Sequence, residues 1–98
     1  MKKFVLKFTE ETARILSKLH PNNKKLIIQA LAELAENPYA GNDLQEEFYG
    51  FKSFKLKRFR VLYKINEEDN TIQIYHIGHR KDVYEQFHRL LTALKKPS

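Results

Sequence analysis

Between Lys52 and Ile65, cations and large apolar residues alternate so closely that few folds suit the segment. Lys52, Lys55, Lys57, Arg58, Arg60 and Lys64 are interleaved with Phe54, Leu56, Phe59, Val61, Leu62, Tyr63 and Ile65, and no acid interrupts them. A two-residue period belongs to a strand, whose alternate side chains share a face. The segment is therefore expected to form two strands, about Lys52 to Lys57 and Phe59 to Ile65, joined by a tight turn without glycine. A row of cations on a rigid sheet suits a polyanion, because fixed guanidinium and ammonium groups hold phosphates at little ordering cost. The plain structural alternative is a solvated strand face, or a sheet edge that lysines guard against aggregation.

The rest of the chain supplies a frame for these strands. Lys3 to Phe8 alternates, with Phe4, Leu6 and Phe8 on one face, and reads as a first strand. Thr9 is placed to cap a helix with Glu10 and Glu11 in its first turn, where the dipole favours acids. That helix should run to about Leu19 and bury Ala13, Leu16 and Leu19 or a nearby set. Pro21 suits a first helical position, and the second helix should carry Ile27, Ala30, Leu31 and Leu34 on one face until Asn37-Pro38 ends it. The short link between the two makes a helical hairpin. Asn37 to Gly50 is expected to be loop, Thr71 to Ile77 a further strand, and Asp82 with Glu85 a capping box for a last helix bearing Val83, Phe87, Leu90 or Leu91, and Leu94. The order is strand, helical hairpin, three-stranded antiparallel meander and helix. The fold class is α+β, with helices covering one face of a mostly antiparallel sheet.

Composition narrows the function classes. Ninety-eight residues make one domain, 1–98, with one modest core. Hydrophobic residues at 42% and charged residues at 31% read as a soluble globule, and no apolar run approaches a membrane span. The start has a basic head but no long apolar region, so it reads as a strand and not a signal peptide. The absence of cysteine excludes disulfides and thiolate metal sites and makes the cytoplasm the default compartment. His76 and His79 are three apart, a spacing that suits neither a helical nor a strand pair of metal ligands. No Gly-rich phosphate loop or nucleophile turn is present, so neither metal nor cofactor is expected. A net charge of +6 favours an anionic partner, either nucleic acid or an acidic protein.

A second motif, Ile77-Gly-His-Arg-Lys-Asp-Val-Tyr84, adds a His, an Arg and a Tyr that can move protons or stabilise charge. The plain reading pairs Arg80 with a carboxylate such as Asp82 and packs the Tyr84 ring in the core with its hydroxyl at the rim. If the last three strands form a meander, however, Lys55, Arg60 and the corner from Gly78 to Tyr84 meet near one end of one face. Such a cluster of like charge calls for an anion or a partner to neutralise it.

Strand, helical hairpin, Lys55-Leu-Lys57, Arg60-Val-Leu-Tyr63 and Ile77-Gly-His-Arg80-x-x-Val-Tyr84, in that order, resemble the RelE branch of the RelE/ParE toxin superfamily over nearly the whole chain, Phe4 to about Leu94. The resemblance implies a toxin of a toxin–antitoxin pair that enters the ribosomal A site and cleaves the mRNA there. It also implies a metal-free reaction in which the ribose 2′-hydroxyl attacks the adjacent phosphate, leaving a 2′,3′-cyclic phosphate and a 5′-hydroxyl. By position, Lys55 would be the general base or a phosphate clamp, and Arg60 would stabilise the transition state. Arg80 would stabilise the phosphate or protonate the leaving group, and Tyr84 would orient or stack on a nucleotide. His79 lies where relatives carry Lys or His and would share the acid–base work. Lys52, Lys57, Arg58 and Lys64 are expected to contact RNA. The implied partners are a cognate antitoxin, the ribosome and mRNA, with no membrane.

Two departures stand out. Relatives often carry a second lysine two residues before the one matching Lys55, and Ser53 stands there with Lys52 beside it. The turn between Lys57 and Phe59 is also shorter than in some members. A gyrase-poisoning ParE-like toxin shares the scaffold but not the ribonuclease residues, and an inactive RelE-fold binding module is the remaining alternative.

Overall fold

The structure, a computed structural model, describes residues 3–95. Its strands are β1 (Val5–Phe8), β2 (Asn42–Asp43), β3 (Lys52–Leu56), β4 (Phe59–Asn66) and β5 (Thr71–His79). Its helices are α1 (Glu10–Lys18), α2 (Pro21–Glu36) and α3 (Val83–Lys95). The expected α+β class and element order are present. The strands form one sheet in the order β1-β5-β4-β3-β2, antiparallel throughout except that β1 runs parallel to β5.

Three details differ from the sequence expectation. The stretch after α2 is not all loop. Asn42 and Asp43 add a short edge strand opposite Ser53 and Lys52, between the 3₁₀ turns Pro38–Ala40 and Glu46–Phe48. Tyr63 anchors this stretch from inside the sheet, donating to the Pro38 carbonyl at 2.7 Å and accepting from the Gly41 N–H at 3.0 Å. In α1 the buried position is Thr12 and not Ala13, which is exposed. The Thr9 side chain caps the Thr12 N–H at 3.1 Å, and the Thr12 hydroxyl donates to the Ile74 carbonyl at 3.1 Å. That hydrogen bond gives an inward polar residue its partner and sets the rotation of the helix.

The third difference is the layering. One core joins Ile27, Leu31 and Leu34 of α2 to Phe59, Val61, Tyr63, Ile72, Ile74 and Ile77 of the sheet, with Ile15, Leu16 and Leu19 packed against it. A second core joins Phe51 and Leu62 to Val83 and Phe87 of α3. The helical hairpin thus covers one face and α3 the other. The reason lies in β4, where Val61, Leu62 and Tyr63 are all fully buried, so that both faces of the strand need cover. The side chain of Leu94 lies outside the described residues. No helix among the described residues is long and apolar enough to cross a membrane.

An irregularity between Leu62 and Tyr63 pairs Leu62 with His76 but Tyr63 with Ile74, leaving Tyr75 without a partner on β4. This bulge turns both Tyr75 and His76 toward α3, where Tyr75 meets Phe51 edge-on and His76 stacks on Phe87. His76 Nε2 lies 3.1 Å from Gln86 Oε1, which ties the sheet to α3.

Candidate functional site

Register brings the sequence candidates together. Lys55 on β3 is opposite Arg60 on β4, which is opposite Gly78 on β5. Residues paired in this way share a face, and the buried pair one step along, Ser53 and Leu62, shows that it is the face of α3. Lys55 and Arg60 therefore stand side by side in front of the first turn of α3, the turn that carries Tyr84.

Gly78 sets how close that helix comes. A Cβ at Gly78 would lie 2.8 Å from Gln86 Oε1 and 3.2 Å from Val83 Cγ2, so the glutamine would have to swing aside and Val83 of α3 to give by a few tenths of an ångström. With glycine, the Tyr84 hydroxyl comes down to 3.0 Å from Ser53 Oγ, and its ring packs on Phe48 at 6.0 Å between centroids. Ser53, where the family resemblance leads one to expect a lysine, is 2% exposed and reaches this site through Tyr84.

Arg60 is half-buried, and its Nη1 donates to the carbonyls of Phe59 at 3.0 Å and Lys57 at 3.3 Å, fixing the guanidinium at the β3–β4 turn. The turn needs only Lys57 and Arg58 because Lys57 takes a left-handed φ of 51°. Arg80 is exposed, and its N–H donates to the Arg58 carbonyl at 2.6 Å, joining the end of β5 to this turn. Arg80 and Asp82 form no ion pair, and among the described residues Lys55, Lys57, Arg58, Arg60, Lys64 and Arg80 have no carboxylate partner. One end of the sheet thus holds Lys55, Lys57, Arg58, Arg60 and Arg80 without neutralisation.

Two other candidates lie apart. Lys52 is opposite Tyr63 and so points to the helical-hairpin face, where its Nζ is 2.6 Å from Asp43 Oδ1 and 5.9 Å from the centre of the Tyr39 ring. His79 is opposite Phe59, also on the hairpin face, and meets that ring edge-on at 6.2 Å. His79 Nδ1 accepts from the Lys81 N–H at 3.3 Å, so the geometry assigns the proton to Nε2 in the neutral ring. Lys64 stays on the α3 face but farther along β4, its Nζ 4.4 Å from the centre of the Phe51 ring. A groove of about 610 Å³ between α1 and α3 reaches His79 and Gly78 but is not lined by Lys55, Arg60, Arg80 or Tyr84. No cluster of three metal-ligating side chains occurs among the described residues.

Known proteins share this fold. A family model described as the ParE toxin of the type II toxin–antitoxin system parDE matches residues 3–84. Toxin RelG of Mycobacterium tuberculosis is 31% identical over 85 residues, which are 85% of this chain and 98% of that protein. The structure of the toxin–antitoxin complex RelBE2 from the same organism holds a chain that superposes with a TM-score of 0.75 at 30% identity, covering 81% of this chain and 100% of that one. The isolated RelE toxin of E. coli shares the fold, with a TM-score of 0.68 at 20% identity over 90% of this chain and 98% of that one.

Proposed function

The chain belongs to the ParE toxin family of type II toxin–antitoxin systems, within the RelE/ParE superfamily, and on that premise we propose that it is a RelE-like endoribonuclease that cuts mRNA in the ribosomal A site. The observation that supports this reading is the pair Lys55–Arg60 on the face of Tyr84, with the Arg80 backbone tied to the same β3–β4 turn and no ion pair to any of the three cations among the described residues. Cleavage by the 2′-hydroxyl needs a base, charge stabilisation at phosphorus and a proton for the leaving oxygen. The 2′-oxygen forms a bond to phosphorus as the bond from phosphorus to the 5′-oxygen breaks, giving a 2′,3′-cyclic phosphate and a 5′-hydroxyl. Lys55 takes the 2′-hydroxyl proton or clamps the phosphate. Arg60, fixed by two carbonyls, stabilises the phosphorane with little reorganisation. Arg80 serves the leaving group or its phosphate, and Tyr84 orients the nucleotide.

Lys57, Arg58 and Lys64 extend the cationic surface and contact RNA, with Lys52 contributing from the other face; His79, on that other face, stands apart from Lys55 and Arg60, which leaves the acid–base work to the row itself. The protein works in the cytoplasm as a single domain, 1–98, and is held inactive by a separate antitoxin that covers or distorts the cationic face. An antitoxin segment of this kind folds as it binds.

The test is single-turnover cleavage on programmed ribosomes, in excess chelator with enough magnesium retained to keep the ribosomes intact. Lys55→Ala and Arg80→Ala should each slow the saturated reaction by about 10²–10⁴-fold, the usual contribution of a placed proton-transfer or charge-stabilising group. Wild-type rates from both variants would remove the site assignment. A wild-type protein that stalls DNA gyrase and leaves ribosome-bound mRNA whole would establish the ParE-like activity instead.

A further inference from the structure

Ser53 is nearly sealed from solvent, and its Oγ lies 3.0 Å from the Tyr84 hydroxyl across 31 positions of sequence. It shares the α3 face with Lys55, two residues farther along β3. A buried hydroxyl must place its proton, and the hydrogen bond that the described residues give Ser53 Oγ is the one to Tyr84. Either hydroxyl can donate in this contact; with Ser53 as the donor, its buried proton is satisfied and the phenolic proton of the half-buried Tyr84 is free to point elsewhere. Phe48 packs against the ring and Gly78 lets the first turn of α3 descend, so the ring has little freedom to turn away.

We propose that Ser53 is a positioning residue: it holds Tyr84 as a hydrogen-bond donor aimed at a phosphate oxygen of the RNA lying on Lys55 and Arg60. This rests on the endoribonuclease reading above. It gives Tyr84 a role through its hydroxyl, where a stacking platform would use the ring alone. It also accounts for a small hydroxyl residue at a position where a lysine would have to bury an ammonium group beneath α3.

The experiment compares Ser53→Ala, Ser53→Thr, Tyr84→Phe and the Ser53→Ala/Tyr84→Phe double variant in saturated single-turnover cleavage on programmed ribosomes, each first checked for a cooperative thermal transition. Loss of one positioned hydrogen bond should slow Ser53→Ala by about five- to tenfold, with the half-saturating toxin concentration unchanged. Ser53→Thr, which keeps the hydroxyl, should recover most of that loss. Tyr84→Phe should lose at least as much, and adding Ser53→Ala to it should cost nothing more. A Ser53 that acted only by filling space would slow the Tyr84→Phe background as well, so multiplied losses overturn the proposal. A wild-type rate from Ser53→Ala also overturns it. Absence of cleavage by the wild-type protein removes the endoribonuclease reading and this inference together, whereas wild-type cleavage with multiplied losses removes this inference alone.

Discussion

Lys55 and Arg60 are direct partners across the β3–β4 ladder, two cations facing one another, neither of them in an ion pair among the described residues. Like charges in that relation oppose folding, and an opposite pair in the same place contributes about 0.2–1 kcal/mol. Replacing Lys55 by Glu should therefore raise the urea midpoint, with the gain shrinking in high salt as the pair is screened. Cleavage should disappear in the same variant. A Lys55→Glu protein less stable than wild type at low salt would show that the two charges do not interact.

Gly78 controls the seat of α3. Alanine there meets Gln86 and Val83 within 3.3 Å, and the small shift that Val83 must make is expected to carry the first turn of the helix with it. Overpacking of this kind costs about 1–3 kcal/mol, so the unfolding free energy of Gly78→Ala should fall by that amount and its denaturant midpoint should fall with it. The variant should also cleave more slowly than its folded fraction accounts for, because the helix that moves carries Tyr84. An unchanged midpoint would mean that α3 adapts freely.

Burial pushes the Tyr63 hydroxyl up to about 12, with the Asp43 charge adding to the rise and the hydrogen bond from the Gly41 N–H opposing it. The folded state holds this proton more tightly than the unfolded chain, for which the value is about 10. The stabilisation is thus complete below pH 10 and is lost as pH rises from about 10 to 12, by roughly 2–3 kcal/mol at most. Tyr63→Phe should be less stable than wild type at pH 8, and the gap should narrow at high pH. A gap of constant size from pH 8 to 12 would contradict this.

Ribosome binding should weaken steeply with salt, since each phosphate contact releases about 0.7–0.9 counterion. Arg58→Ala and Lys64→Ala should each lower the slope of log affinity against log salt by about one contact. Lys52→Ala should lower it less, because Asp43 already holds that ammonium on the other face. Equal slopes for all three variants would show that face and pairing do not matter.

The meander and the helical hairpin were legible because their periods of two and 3.6 residues are long and unbroken, and because Thr9, Pro21 and Asn37 mark the helix ends. The two-residue β2 has no period to read. The rotation of α1 was hidden because it depends on a hydrogen bond from Thr12 to Ile74, 62 positions away. Placement of the helices on one face failed where β4 buries consecutive residues, a pattern that itself signals cover on both sides.

In the site, the meeting of Lys55, Arg60 and the Gly78–Tyr84 corner followed from pairing alone. The separation of Lys52 from Lys55 was also available, since an odd spacing along one strand puts two side chains on opposite faces. The position of His79 was less accessible, because the bulge opposite Leu62 changes the parity along β5. The bond between Ser53 and Tyr84 was beyond reach, as it depends on how deeply α3 settles over Gly78.

The parallel pairing of β1 with β5 has a consequence for the timing of synthesis. Val5 cannot meet Thr71, nor Thr12 its carbonyl on Ile74, until most of the chain has been made. The cationic row waits longer still, for Gly78, and the hydroxyl above it arrives only with Tyr84. A partly synthesised chain carries Lys55 and Arg60 but neither β5 nor α3 to frame them. Vectorial translation therefore completes the cationic face last, so that, on the proposed function, an antitoxin present at chain release meets this face in the first moments that it exists.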